Sequence, residues 1–316
     1  MAVSSHRLKV AFCALVIAVA AASSSELDGA TRQSAVTVVA KVTTGSAPCV
    51  ATAIRGSVWV THFSDWSLVR VSPRTNRVVG RRLRVGARPC GLSYGAGSVW
   101  VGPYGTRTIE RINPRTGKMV ARIAIGGAPY DLLFHRGSVW VANASAGSVV
   151  RIDPRTNRVV KRIVTGGTPA NITAGLGAVW AGSASGTQVF RIDPATNALT
   201  RIEAGGETPT TVEPTADALW VSNQGSGTVT RLDPASSEVV ASVRVGTNPG
   251  WLASGADGTI FVPNGRDNTV SRIDPATNTV IQTIRVGAGP AVFKRAFGDL
   301  WLTHLRSKQV WRLRVG

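Results

Sequence analysis

Apolar residues fall along this chain in short runs rich in Val, Ile and Trp, each broken by Gly, Pro, Asn or Asp. From Gly137 to Pro169 the pattern reads GSVWVANASAGSVVRIDPRTNRVVKRIVTGGTP. Short β-branched and aromatic runs bounded by turn residues predict strands. One stretch offers four of them: Tyr130–Phe134 after a Gly-x-x-Pro turn, Ser138–Asn143 around a Trp, Ser148–Asp153 ending in Arg-Ile-Asp-Pro, and Arg158–Thr165. No 12-residue stretch of this kind carries apolar positions at spacings of three and four, which argues against helices.

The four-strand pattern recurs. Trp59, Trp100, Trp140, Trp180, Trp220, Phe261 and Trp301 follow one another at 40 or 41 residues. Gly-x-x-Pro opens at Gly45, Gly86, Gly126, Gly166, Gly206, Gly246 and Gly287. The Arg before the third-strand turn stands at Arg70, Arg111, Arg151, Arg191, Arg231, Arg272 and, truncated, Arg312. A period near 40 residues means a propeller or a solenoid, and four antiparallel strands per period make a propeller blade. A single blade cannot bury both faces, so the repeat Trp is the natural filler between neighbours. The last copy ends after its third strand, and Ala35–Thr43 (AVTVVAKVT) precedes the first turn as the missing fourth. The sequence therefore predicts an all-β, seven-bladed propeller over residues 35–316, its last blade closed by the N-terminal strand.

The N-terminus reads differently. Residues 1–22 form a secretory signal peptide: Arg7 and Lys9, the apolar run Val10–Ala22, and a small-residue cleavage site at Ala20-Ala21-Ala22. Thirteen apolar residues are short for a membrane span, and no later segment of the mature chain is apolar enough to be one. Residues 23–34 read as a polar leader. The expectation is a monomer outside the cytoplasm, secreted, periplasmic or associated with the cell wall. In that oxidising setting Cys49 and Cys90, each directly after its turn Pro in adjacent blades, form either a disulfide or two small buried thiols.

Charge adds a second theme. The chain carries a net +19, but residues 45–166 hold 19 Lys/Arg against 4 Asp/Glu, whereas residues 167–316 hold 13 against 11. The excess gathers on the fourth strands of blades one to three, at Arg77, Arg81, Arg82, Arg84, Arg122, Arg158, Lys161 and Arg162. Such a rim either blocks edge pairing or meets an anionic partner: wall polymer, lipid headgroups or an acidic protein, with nucleic acid disfavoured outside the cell.

Candidate chemistry clusters on the face carrying the loops between second and third strands. The position three beyond each repeat ring holds His62, Pro103, Asn143, Ser183, Asn223, Asn264 and His304, and the inner-strand entries add Asp131 and Asn171. His62 and His304 are equivalent residues in neighbouring blades one and seven. With Asp65 or Asp131 they would share a proton or a metal, or else simply bond loop backbone. Phe63, Trp66, Tyr104, Tyr130 and Trp251 break the repeat on this face, and aromatic rings with Asn and Thr between them suit a sugar or peptide ligand.

Val-Trp-Val-Ala-Asn, then the Thr269–Asn278 segment TVSRIDPATN, then Val-Gly-x-x-Pro resemble the YVTN-type propeller repeats of bacterial exported and surface proteins. The resemblance covers about residues 36–316 and implies a binding or surface role. The Trp strand with its Gly-x-x-Pro turn also resembles the virginiamycin B lyases, streptogramin-opening carbon–oxygen lyases. That likeness implies carboxylates holding magnesium and a catalytic His, after a second strand ending in Trp-Phe-Thr-Glu. Here the strand ends in Trp-Val-Thr-His at His62 and Trp-Leu-Thr-His at His304, with no Glu at that position in any blade. The expected function is a binding scaffold without a cofactor, working from the channel mouth or the basic rim. The alternative is a metal-dependent lyase-like or lactonase-like enzyme using His62, His304 and Asp131.

Overall fold

The computed structural model describes residues 34–316, so the signal peptide and nearly all of the polar leader lie outside the described residues. The turn-bounded runs do form strands. In blade three they are Pro129–His135, Ser138–Asn143, Ser148–Asp153 and Arg158–Val164, running outward from the axis in that order. Seven such four-stranded antiparallel sheets make the propeller. The ring is sealed by Val36–Thr43, which pairs antiparallel with Gln309–Val315 from Val36 opposite Val315 to Thr43 opposite Gln309. The first and last described strands therefore share one blade, and no sheet among the described residues is left a strand short. Among the described residues no helix is long and apolar enough to cross a membrane.

The repeat rings fill the clefts between sheets. Trp59 packs on Leu92, Val99, Val101 and Ile112 of blade two, and Trp100 on Leu132, Val139 and Val150 of blade three. The last ring, Trp301, packs on Ala51, Val58 and Val60 of blade one, so the packing circle is unbroken. Trp100, Trp140 and Trp301 are wholly buried, and truncating a buried Trp costs roughly 3–5 kcal/mol.

The recurrent Arg is also structural, but its polar partners are not confined to its own blade. The guanidinium lies over the ring of its blade, 4.9 Å from Trp100 for Arg111 and 5.0 Å from Trp140 for Arg151. Its Nε donates within the blade, to Ser98 from Arg111 and to Ser138 from Arg151. One Nη then crosses to the next blade, where Arg111 donates to the Pro154 carbonyl and to Asn157. Arg151 repeats this with Pro194 and Asn197, and Arg231 with Pro275 and Asn278. Arg312 does so across the closure, reaching Pro73 and Asn76 of blade one. Where the receiving turn has Gly117 or Ser237 instead of Asn, Arg70 and Arg191 make no such bond among the described residues. The Asn sits at positive φ in its turn (53° at Asn76, 56° at Asn157), a conformation Asn tolerates better than most residues.

Candidate functional site

Antiparallel order puts the Gly-x-x-Pro turns and the loops between second and third strands at one end of the ring. There the inner strands open a hollow on the axis. One lobe of about 410 Å³ is lined by Ala47, Cys49, Phe63, Ser64, Cys90, Tyr104, Tyr130 and Leu305. A second, of about 360 Å³, shares Cys49, Cys90, Tyr130 and Leu305 and adds Trp251, Gln224, Asn248, Arg266 and Arg306. The two lobes are one mouth with a common wall.

Aromatic rings set its character. Tyr104 meets Tyr130 edge to face with centroids 6.0 Å apart, and Tyr130 lies 6.2 Å from Trp251. Trp251 reaches the axis because blade six has an irregular inner strand, regular only at Ala253–Ser254. The Trp251 N–H donates to the Ala291 carbonyl, and its carbonyl accepts from the Phe293 N–H of blade seven. Gly250 permits this approach, since a Cβ there would stand 2.3 Å from the Ala291 carbonyl oxygen. Cys49 and Cys90 join blades one and two in the shared wall, with Cα atoms 5.2 Å apart. Of the expected aromatics, Phe63, Tyr104, Tyr130 and Trp251 converge here. Trp66 does not: it is 44% exposed and lines neither lobe.

The positions three beyond each repeat ring do not encircle the mouth. His62, Asn143, Asn223, Asn264 and His304 are buried and tuck beneath the glycine turns of their own blades. A Cβ on Gly206 would stand 2.6 Å from Asn223, so only glycine leaves room for the side chain below it. The reason lies in strand geometry. Second-strand side chains point to the two faces of the sheet, toward neighbouring blades, and only the first strand borders the axis.

His62 places Nε2 at 2.9 Å from the Thr44 hydroxyl and Nδ1 at 3.4 Å from Ser67. Burial lowers its pKa to about 4, with Arg82 adding to the shift and Asp65 opposing it. His304 stacks on Trp311 with centroids 5.2 Å apart, and its ring nitrogens lie against the backbone of Leu302 and Gln309 without a well-formed hydrogen bond. Burial lowers its pKa to about 4 as well. Each imidazole is enclosed in its own blade, and neither lines the mouth. Among the described residues no three His, Cys, Asp or Glu side chains come together as metal ligands, so the donor set does not fit the magnesium site that the lyase resemblance implies.

Asp131 is buried against the inner strand of blade four and lines neither lobe of the mouth. Its carboxylate accepts from Asn171 Nδ2 and the Ile172 N–H, both at 3.1 Å. Burial pushes its pKa up, while Lys294 and these bonds pull it down. A small hollow of about 100 Å³ on this level is bounded by Asn171, Thr211, Glu213, Trp251 and Lys294. Glu213 accepts from the Ser254 N–H and hydroxyl, and its pKa is likewise raised by burial. Glu213 and Lys294 were not singled out from the sequence, although each stands four residues after its turn Pro, on the axial side.

The basic rim divides in two. Arg82 donates to the Thr44 carbonyl, Ser67 and Asp65, and Arg162 to the Ile125 carbonyl. Arg81 donates to the Thr116 carbonyl, and Arg122 pairs at 3.0 Å with Glu110, whose carboxylate is buried. Arg81, Arg82 and Arg162 fasten outer strands to turns and linkers, whereas Arg122 pairs with the adjacent third strand of its own blade. Arg77, Arg84, Arg158 and Lys161 are exposed.

No family model and no curated protein matches the chain. Solved structures do. Virginiamycin B lyase from Staphylococcus aureus aligns over 89% of this chain and 100% of its own with TM-score 0.77 and 16% identity. A streptogramin B lyase structure aligns over 86% and 94%, with TM-score 0.75 and 17% identity. The WD40 propeller domain of Doa1 gives TM-score 0.75 at 12% identity, over 88% and 96%. Neighbours this different in sequence share one architecture, and what the chain has in common with them is the β-propeller fold.

Proposed function

We propose that this protein is an exported binding module that takes a sugar or peptide ligand into its channel mouth. The observation that carries the reading is the convergence of Phe63, Tyr104, Tyr130 and Trp251 around one axial hollow. Aromatic walls supply most of the contact free energy for such ligands, and a few polar groups at the edge fix orientation. Here those groups are Gln224, Asn248 and the exposed Arg266 and Arg306. The Cys49–Cys90 link in the mouth wall and the N-terminal signal pattern both accord with an oxidising compartment outside the cytoplasm.

The fold likeness to streptogramin-opening lyases brings the enzyme reading into view, but its chemistry needs a ligated metal and an accessible base. His62 and His304 are sealed inside their blades, so no reaction step is assigned to them. The test is calorimetric titration with chito-oligosaccharides and with short aromatic peptides, separately, on the wild type and on Tyr104→Ala. Tyr104 is 36% exposed, so its loss leaves the fold intact. Saturable binding by either probe, weakened tenfold or more in the variant, supports the reading. Equal binding by both proteins refutes it.

A further inference from the structure

The face opposite the mouth is polarised. It is built from the turns between first and second strands and between third and fourth strands, and two turn positions change around the ring, blade three combining Arg155 with the Asp153 of the acidic pattern. In blades one to three the outer turn reads Pro-Arg-Thr, at Arg74, Arg115 and Arg155, whereas in blades four to six it reads Pro-Ala-Thr or Pro-Ala-Ser, at Ala195, Ala235 and Ala276. The residue before that Pro is Ser72 or Asn113 in blades one and two but Asp193, Asp233 and Asp274 in blades four to six. The inner turns carry Arg55 and Arg136 on one side and, on the other, Asp217 and Asp257, which are paired with Arg231 and Arg272 of their own blades. Arg77, Lys118 and Arg158 extend the basic sector at the starts of the outer strands or just before them.

Unlike the rim residues that brace neighbouring turns, all of these cations but Arg155 lack an ion-pair partner among the described residues. Arg155 meets only Asp153, at 3.5 Å, with its side chain 89% exposed. Arg55, Arg74, Arg115, Lys118 and Arg136 are exposed and have no ion-pair partner among the described residues. Blade seven, next to blade one, places Phe297 at the tip of the corresponding inner turn, 44% exposed. That position is Arg55 in blade one, Ala96 in blade two and Arg136 in blade three.

We propose that this basic sector, with Phe297 beside it, docks the propeller on an anionic lipid bilayer. Cations at turn tips on one end of the ring address a flat negative surface simultaneously, and a single large apolar ring at their border can enter the headgroup region. The outer-turn carboxylates of blades four to six, Asp193, Asp233 and Asp274, have no ion-pair partner among the described residues and are repelled by the same surface, so the molecule sits on blades seven, one, two and three. The mouth at the other end stays open. A soluble polyanion would satisfy the charges but would leave the exposed Phe without a role. Self-association through the two halves of this face is opposed by the net charge of +19.

Substitutions borrowed from the other blades test the surface without disturbing the fold. Arg74→Ala, Arg115→Ala and Arg155→Ala place the alanine of blades four to six at the same turn position, and Phe297→Ala places the alanine of Ala96, which holds the same left-handed backbone (φ 47° against 53°). Sedimentation with vesicles of phosphatidylcholine and phosphatidylglycerol is the assay. Each cation near an anionic surface contributes about fivefold to binding, so the triple variant is expected to lose roughly a hundredfold. Phe297→Ala loses severalfold more than it does on polylysine-blocked vesicles, and added salt weakens the wild type. Control substitutions of exposed cations elsewhere, Lys161→Gln, Arg244→Gln and Arg285→Gln, leave the triple-variant effect unmatched. The proposal is overturned if the triple variant binds vesicles as well as wild type, if the control set loses as much, or if wild type binds soluble polyglutamate as tightly as vesicles of equal charge.

Discussion

Two neutral histidines sealed in the blades make the fold sensitive to mild acid. In the unfolded chain His62 and His304 titrate near their ordinary value of 6.5, whereas burial holds both near 4 in the folded ring. A base whose folded pKa is depressed stabilises fully above the unfolded pKa, and that stability drains away as pH falls from 6.5 toward 4, because the unfolded chain takes up the proton first. Each shift spans about 2.5 pH units, or about 3 kcal/mol, so the pair removes on the order of 6 kcal/mol between pH 7 and pH 4. Asp131 and Glu213, raised by burial, work in the opposite sense and soften the net loss. A comparison with His62→Asn/His304→Asn removes that complication, since Asn already occupies the equivalent place at Asn143, Asn223 and Asn264. Urea unfolding at a series of pH values should give a wild-type curve that falls several kcal/mol further than the double variant's across this window. Parallel curves would show that the imidazoles are solvated in the native state, and the burial argument would fail.

Further outcomes follow from the braces around the ring. Intact mass with and without alkylation should show no free thiol at Cys49 or Cys90, and Cys49→Ser/Cys90→Ser should lose up to about 4 kcal/mol for a loop of 41 residues. Ser237→Asn should give Arg191 the receiving turn it lacks and raise stability by about 1 kcal/mol in urea melts, Ser237 already having φ 64°. No gain would mean that the Asn–Arg contact is incidental. Arg312→Ala strips the cross-blade brace at the closure and unpairs one side of the buried Asp299, a loss on the order of 3 kcal/mol. Retention of wild-type stability would argue that the strand pairing alone seals the ring.

The architecture was legible because each blade restates it. Trp, Gly-x-x-Pro and Arg markers share one period, and a repeat that ends a strand short at Arg312–Gly316 must find that strand elsewhere. The mouth was legible through aromatics that disobey the repeat, Tyr104, Tyr130 and Trp251 among them. His62 and Asn143 were misleading because, three residues past a ring that faces one neighbouring blade, a side chain faces the other blade and not the axis. The brace from Arg111 to Asn157 joins residues 46 apart, so nothing in a local motif announces it. Glu213 and Lys294 were hidden because they sit in mid-strand, where attention to turns does not reach.

The most direct measurement concerns where a ligand sits. The chain has three tyrosines, so 3-fluorotyrosine labelling gives three ¹⁹F signals. Tyr104 and Tyr130 line the mouth, while Tyr94 lies toward the far end of its inner strand, Pro89–Gly95. Titration with the oligosaccharide or peptide that binds in calorimetry should move the Tyr104 and Tyr130 signals and leave Tyr94 in place. A shift of Tyr94 alone, or saturation with none of the three moving, would contradict a ligand site at the channel mouth.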